Sequence, residues 1–381
     1  MSDDSEHELL DELADEFLSR CLRGESPKIA DYCQAYPWIA DEIQKLFPML
    51  KLLESNKDSR DSFQPPNPLG SYRLDREIGR GGMAIVYEAT ATTDGQKVAL
   101  KLLHPQRGND QAAVNSRFER EAEVISRVDC EGIVRLVDFG EHDGLAYLVM
   151  QLIDGSSLDR LIRLLASARR SNPTDWVEPV MRGAICGRET FTREEYFGWV
   201  KHVGERIATA LHRAHEMGVL HRDVKPSNVL LDREGEPWLT DFGLARLEDS
   251  KLTRTGQIIG TLRYLAPERL SGKCDESADI YGLGLTLYEL LTLRPAFSQS
   301  DRLQLVAAVE QSEPPPPNSI MPDIPEQLEE IVLRAMAKSQ HARYQTCAEL
   351  AAELKNCDAT VSVAEKKSRL AVFRRKPFRF R

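Results

Sequence analysis

The run His221-Arg222-Asp223-Val224-Lys225-Pro226-Ser227-Asn228 gathers a carboxylate, an ammonium, an amide and an imidazole, and Asp241-Phe242-Gly243 follows closely. Between them, Val229-Leu230-Leu231 and Pro237-Trp238-Leu239 flank the polar stretch Asp232 to Glu236. That pattern predicts two short strands joined by a turn. A hairpin folds back on itself, so Asp223, Lys225 and Asn228 come close to Asp241. Two carboxylates, an amide and an ammonium are costly to desolvate together without a purpose. A divalent cation held by Asn228 and Asp241 supplies one. Hard oxygen ligands suit Mg²⁺, which keeps waters and shares phosphate oxygens.

The elements that must position these groups lie on both sides. Tyr72 to Ile78 reads as a strand, followed by Gly79-Arg80-Gly81-Gly82-Met83-Ala84-Ile85-Val86 leading into a second strand to Ala89. Glycines allow a tight hairpin whose amides approach phosphates without side-chain obstruction. Val98-Ala99-Leu100-Lys101 is a third strand. Asn115 to Val128 reads as a helix with Glu119, Glu121 and Glu123. Ile133 to Gly140 and Leu145 to Leu152 read as a strand pair around His142-Asp143-Gly144. Helix is expected from Ser156 to Arg170 and from Thr192 to Met217, and residues 171 to 190 break helical periodicity. His212 and His215 read as ordinary helix residues.

At these motifs the sequence resembles the protein kinases. His221 to Asn228 matches their catalytic loop H-R-D-x-K-x-x-N, with D-F-G after it. The resemblance implies an α+β, bilobal protein-kinase fold, with a small β-rich N-lobe and a larger helical C-lobe, preceded here by a small helical segment. It implies ATP and Mg²⁺ as cofactors and Ser/Thr hydroxyls of proteins as substrates. Asp223 would take the hydroxyl proton, Lys225 would neutralise phosphoryl charge, and Asn228 and Asp241 would hold the metal. Lys101 would bind the α and β phosphates and pair with Glu121. Ile78, Gly79, Arg80, Gly81 and Gly82 would cover the nucleotide. One departure is Ala84 in place of the family's third glycine. Val86, Ala99 and Leu230 would enclose the adenine, with Met150 as gatekeeper and Gln151 and Ile153 in the hinge. Gly260 to Glu268 matches the end of an activation segment. Arg343 would pair with Glu268, and Asp279 would bond the catalytic-loop backbone. Thr253 and Thr255 are the expected autophosphorylation sites, with Arg222 as their phosphate partner. Lys225 two residues after Asp223 resembles the Ser/Thr-specific branch, and bacterial signalling kinases are the nearest likeness. Two other classes are weighed: a pseudokinase-type scaffold, which usually lacks one of these groups, and a small-molecule kinase, which lacks the segment ending at Glu268.

Composition sets the remaining bounds. A chain of 381 residues with 41% hydrophobic and 29% charged content has material for a substantial core. Net charge of −10 argues against general nucleic-acid binding. The cysteines are scattered and form no C-x-x-C pair, as in a reduced, cytoplasmic protein. The acidic start is unlike a signal peptide. The expected layout is a helical segment over 1–55, a linker over 56–69, the kinase domain over 70–356 and a basic tail over 357–381. The tail, with Lys366, Arg374, Arg375 and Phe378, could make weak contact with an anionic membrane surface. Self-association is left open.

Overall fold

The computed structural model describes residues 13, 17, 27–40, 42–44, 47–48, 65–81, 84–103, 122–184, 191–242, 262–299 and 301–358. The chain divides into two compact units, Met1–Leu69 and Gly70–Arg381. In the first, helix α1 (Ile29–Ala35) runs into a single 3-10 turn at Pro37–Ile39. Its core is aromatic. The rings of Phe17, Tyr32 and Phe47 meet at centroid distances of 4.6 to 5.7 Å, and Leu13, Ile39 and Ile43 pack around them.

The second unit begins with strands β1 (Tyr72–Arg80), β2 (Ala84–Ala91), β3 (Lys97–Leu103), β4 (Leu136–His142) and β5 (Leu145–Gln151). They form one antiparallel sheet in the order β1-β2-β3-β5-β4. The expected strand from Ile133 starts three residues late. Ile133 instead makes a parallel bridge to Leu239, because Leu239 N donates to Gly132 O and Val134 N donates to Leu239 O, each at 2.8 Å.

Helices dominate the rest: α2 (Leu158–Ser171), α3 (Val177–Ala184), α4 (Arg193–Glu216), α5 (Glu276–Thr292), α6 (Arg302–Gln311), α7 (Pro317–Ile320), α8 (Glu326–Ala335) and α9 (Cys347–Asn356). The short strand β6 (Gly155–Ser157) precedes α2 and pairs with β7 (Val229–Asp232), which pairs with β8 (Pro237–Leu239). The hairpin predicted between Val229 and Leu239 is therefore present. α4 starts at a capping box: Thr192 Oγ1 accepts from Glu195 N, and Glu195 reaches back to Thr192 N.

Residues 171 to 190 are not merely a connection. α3 lies among them, with Trp176, Val177 and Met181 buried. Pro179 and Gly183 hide this helix from a propensity reading. Pro179 sits in the first turn, where the missing N–H would have had no helical partner. Trp176 packs edge-on against Tyr196, and the Arg193 guanidinium lies over its indole at 5.8 Å.

α5 is the central helix of this lobe, buried on nearly every side. Gly282 is required there: a β-carbon would sit 2.8 Å from Val224 O. Bare backbone is what lets α5 touch the loop carrying Asp223.

Candidate active site

The site is built from both parts of the second unit. Lys101 lies on β3, and its Nζ donates to Asp241 Oδ1 at 2.7 Å. Register places Val86 opposite Lys101 and Ala99 opposite Met150. Ala99 and Met150 are buried in one apolar cluster, against which Val86, Ile153 and Leu230 pack. Gln151 flanks the cluster, with its N–H donated to Arg135 O at 2.9 Å. Ile78 stands apart, 40% exposed at the end of β1. Arg80 is held by Glu77. Gly81 N donates to Ala84 O at 2.8 Å, closing the β1–β2 connection. Neither Gly79 nor Gly81 has a positive φ, and an added β-carbon would meet only ordinary contacts at 3.7 Å or more. The fold itself does not demand glycine at these two positions.

On the other side, Lys225 Nζ lies 2.6 Å from Asp223 Oδ2. Asn228 Nδ2 donates to Asp223 O at 2.8 Å and to Asp223 Oδ2 at 3.0 Å. This turns the amide oxygen of Asn228 away from Asp223. Thr240 N donates to Asn228 O at 3.0 Å, so the hairpin brings Asn228 and Asp241 together. An amide oxygen and a carboxylate are hard donors that fit Mg²⁺. Among the described residues no trio of His, Cys, Asp or Glu gathers. A cation held by Asn228 and Asp241 would thus complete its shell from water and phosphate, the habit of Mg²⁺.

Burial pushes the Asp241 carboxyl up, but the Lys101 charge and hydrogen bond more than offset it, leaving its pKa below the usual carboxylate range. Asp241 also takes a positive φ of 66°, and Arg222 one of 70°. Such backbone is costly without glycine and persists only when neighbours hold it. Arg222 is held twice: its N–H donates to Asp279 Oδ1 at 2.7 Å, and its carbonyl accepts from Arg269 Nη1.

Asp279, on α5, also accepts from His221 N at 2.9 Å and pairs with His215 Nε2 at 2.8 Å. By its sequence His215 is an ordinary helix residue. It is instead buried on α4 and fixes the carboxylate that fixes the loop. Nothing local signals this, because His215 and Asp279 are 64 positions apart. His221 accepts at Nδ1 from Asp223 N at 3.3 Å and meets Thr240 O with Nε2 at 2.9 Å. Both contacts are satisfied by the Nε2–H tautomer. Its ring packs on Phe242 at 4.4 Å.

Glu268 is held by the buried Arg343 at 2.6 and 2.9 Å, a two-point pair. Glu121, Gly82, Gly243, Thr253, Thr255 and the basic tail from residue 359 lie outside the described residues.

Residues 72–354 match the protein kinase domain. The chain belongs to the protein kinase family. The chain is 37% identical over 302 residues to the serine/threonine-protein kinase PknE of Mycobacterium tuberculosis, covering 79% of this chain and 48% of the relative. It is 33% identical over 288 residues to the serine/threonine-protein kinase PrkC of Bacillus subtilis, covering 75% of this chain and 40% of that one. The chain thus spans about half the length, or less, of these relatives. The crystal structure of the Mycobacterium tuberculosis PknI kinase domain matches with a TM-score of 0.55 at 27% identity, covering 77% of this chain and 98% of that one. Among the described residues no helix is long and apolar enough to cross a membrane.

Proposed function

We propose that the chain is an active serine/threonine-protein kinase of bacterial signalling type, transferring the γ-phosphoryl group of MgATP to protein hydroxyls. The observation that carries this reading is the meeting of Lys101 and Asp241 at 2.7 Å beside a catalytic loop whose Asp223, Lys225 and Asn228 are mutually bonded. Asp223 receives the proton of the attacking hydroxyl. Lys225 offsets charge on the phosphoryl oxygens. Lys101 holds the nucleotide phosphates, with Glu121 as its ion-pair partner. Mg²⁺ held by Asn228 and Asp241 neutralises phosphate charge. Val86, Ala99, Met150, Ile153 and Leu230 enclose the base, with Ile78 and the Gly79–Gly82 loop above it. Catalysis is then positioning plus charge stabilisation, as is general for protein kinases.

In the same reading the domain occupies 70–356, with a helical segment over 1–55 before it, a basic tail after it and a cytoplasmic setting. Among the described residues the buried Arg222 Nε has no hydrogen-bond partner, which suits it to receive a phosphate on Thr253 or Thr255. Incubating the purified protein with labelled ATP and Mg²⁺ beside Asp223→Asn tests the activity. Incorporation by the parent alone is expected, and equal incorporation by both would refute it. Mass spectrometry of the products then locates the phosphate. Full activity in the Thr253→Ala/Thr255→Ala double variant would rule out the switch.

A further inference from the structure

Trp199, His202 and Arg206 follow one another on α4 at the spacing that aligns side chains along one helix face. All three act on the neighbourhood of one turn. Trp199 Nε1 donates to Gly235 O at 3.1 Å. His202 Nε2 lies 2.9 and 3.1 Å from the two carboxylate oxygens of Glu236. Arg206 Nε is 3.4 Å from Glu236 Oε2, and its Nη2 donates to Glu131 Oε1 at 2.7 Å. Glu131 adjoins Gly132, whose carbonyl receives Leu239 N of β8. One helix face therefore holds both the β7–β8 turn and the segment bordering β8.

The turn is fastened within itself as well. Asp232 Oδ1 accepts from Glu234 N and Glu236 N, and Asp232 Oδ2 accepts from Trp238 Nε1. Gly235 is buried at a φ of 84°, which other residues rarely adopt. None of this touches the chemistry. Yet the hairpin's other end bears Asn228 and Asp241, about four strand residues or roughly 13 Å away. A two-stranded hairpin has little stability of its own, so its geometry is set by what grips it. Asp279 and His221 hold the end near Asp223, and α4 holds the far end.

We propose that Trp199, His202 and Arg206 are positioning residues for phosphoryl transfer: by gripping the β7–β8 turn from α4 they set the spacing of Asn228 and Asp241. The proposal rests on the metal-holding role read above for that pair. The test uses the full chain. His202→Leu/Arg206→Met removes the ionic grip, whereas His202→Gln keeps a donor for Glu236. Two quantities are measured: hydrogen exchange at the Thr240 amide, which bonds Asn228 O, and the Mg²⁺ concentration for half-maximal ATP turnover. In the double variant, Thr240 exchange rises about 10-fold and the Mg²⁺ requirement about 5-fold, less than the roughly 10-fold seen for groups bonded directly to metal ligands. His202→Gln stays close to the parent. Should the double variant not fold, Trp199→Phe, which removes only an N–H donor, is read in the same two ways. Parent-like Thr240 exchange overturns the proposal, as does faster exchange with an unchanged Mg²⁺ requirement. An Asp241→Asn variant with parental Mg²⁺ dependence would instead count against the metal assignment, and Thr240 exchange judges the grip without it.

Discussion

Asp279 accepts from two backbone amides, pairs with His215 and keeps only 1% of its side chain exposed. Asp241 has one described hydrogen bond, to Lys101, and keeps 28% exposed. Both carboxyls are pushed up by burial and brought below the usual range by their partners, His215 and His221 for Asp279, Lys101 first for Asp241. The same chemical group therefore serves two ends. Surrounded by donors, Asp279 has no capacity left for a ligand and works as a fastening. Facing a cleft, with one oxygen given to Lys101, Asp241 retains capacity for a cation. Among the described residues, the aspartate of the candidate site is set apart less by its type than by its fewer partners.

Removing the fastening has the largest expected effect. Asp279→Ala leaves the amides of His221 and Arg222 buried without acceptors, each worth about 1–3 kcal/mol. Denaturant unfolding should register a loss of about 3–5 kcal/mol, as for other broken buried networks, together with loss of turnover. A variant as stable as the parent would show that the loop holds its own shape.

Lys101→Met acts on the other aspartate. Turnover should fall by about 3 kcal/mol in transition-state terms, roughly 150-fold, and stability near neutral pH should fall with the lost pairing. It also removes the cation that lowers the Asp241 pKa. A lowered carboxyl contributes stability that is present above its unfolded value of about 4 and lost as pH falls through the folded pKa. The acid limb of the stability profile should therefore flatten in Lys101→Met. An unaltered acid limb would mean that Lys101 does not set the charge of Asp241.

His215→Leu sharpens the comparison further. It subtracts one partner of Asp279 and leaves both backbone amides in place. The expected cost is about 1–2 kcal/mol of stability, with His215→Gln recovering part of it. If Leu and Gln behave alike, the imidazole is packing and not a hydrogen-bond partner.

A pH-dependent effect concerns Lys338, which lies near the Glu268–Arg343 pair. Burial first, and the charge of Arg343, lower its pKa to about 8. The unfolded chain then holds more protons between pH 8 and the ordinary lysine value of 10.5, so stability rises with pH across that window. Thermal midpoints measured across it should rise in the parent and stay flatter in Lys338→Met. Identical slopes would sink this assignment.

The sequence was most informative where chemistry is written locally. His221 to Asn228 and Asp241 carry an amide and two carboxylates at spacings a hairpin must close, and Val229 to Leu239 alternates between apolar strands and a polar turn. The helix at 193–216 was legible to within one residue at each end, because Thr192 and Glu195 form its cap and its apolar positions recur. The helix at 177–184 was not. Pro179 and Gly183 argue against helix locally, and burial of Trp176, Val177 and Met181 overrides them. The late start of β4 has the same character, since Ile133 is drawn to Leu239 from outside its own segment.

By itself, then, the sequence determined which groups the site contains and in what order, because those follow from side-chain types a few residues apart. Only the tertiary structure decided what holds them. The pairing of His215 with Asp279, the grip of α4 on Gly235 and Glu236, and the contact of Arg269 with Arg222 join residues separated by 34 to 64 positions. Hydrogen bonds across such distances leave no periodicity or spacing in the chain. Around Asp279 they exist because packing of α5 excludes water, and a buried polar group deprived of water must find its partner wherever the fold supplies one.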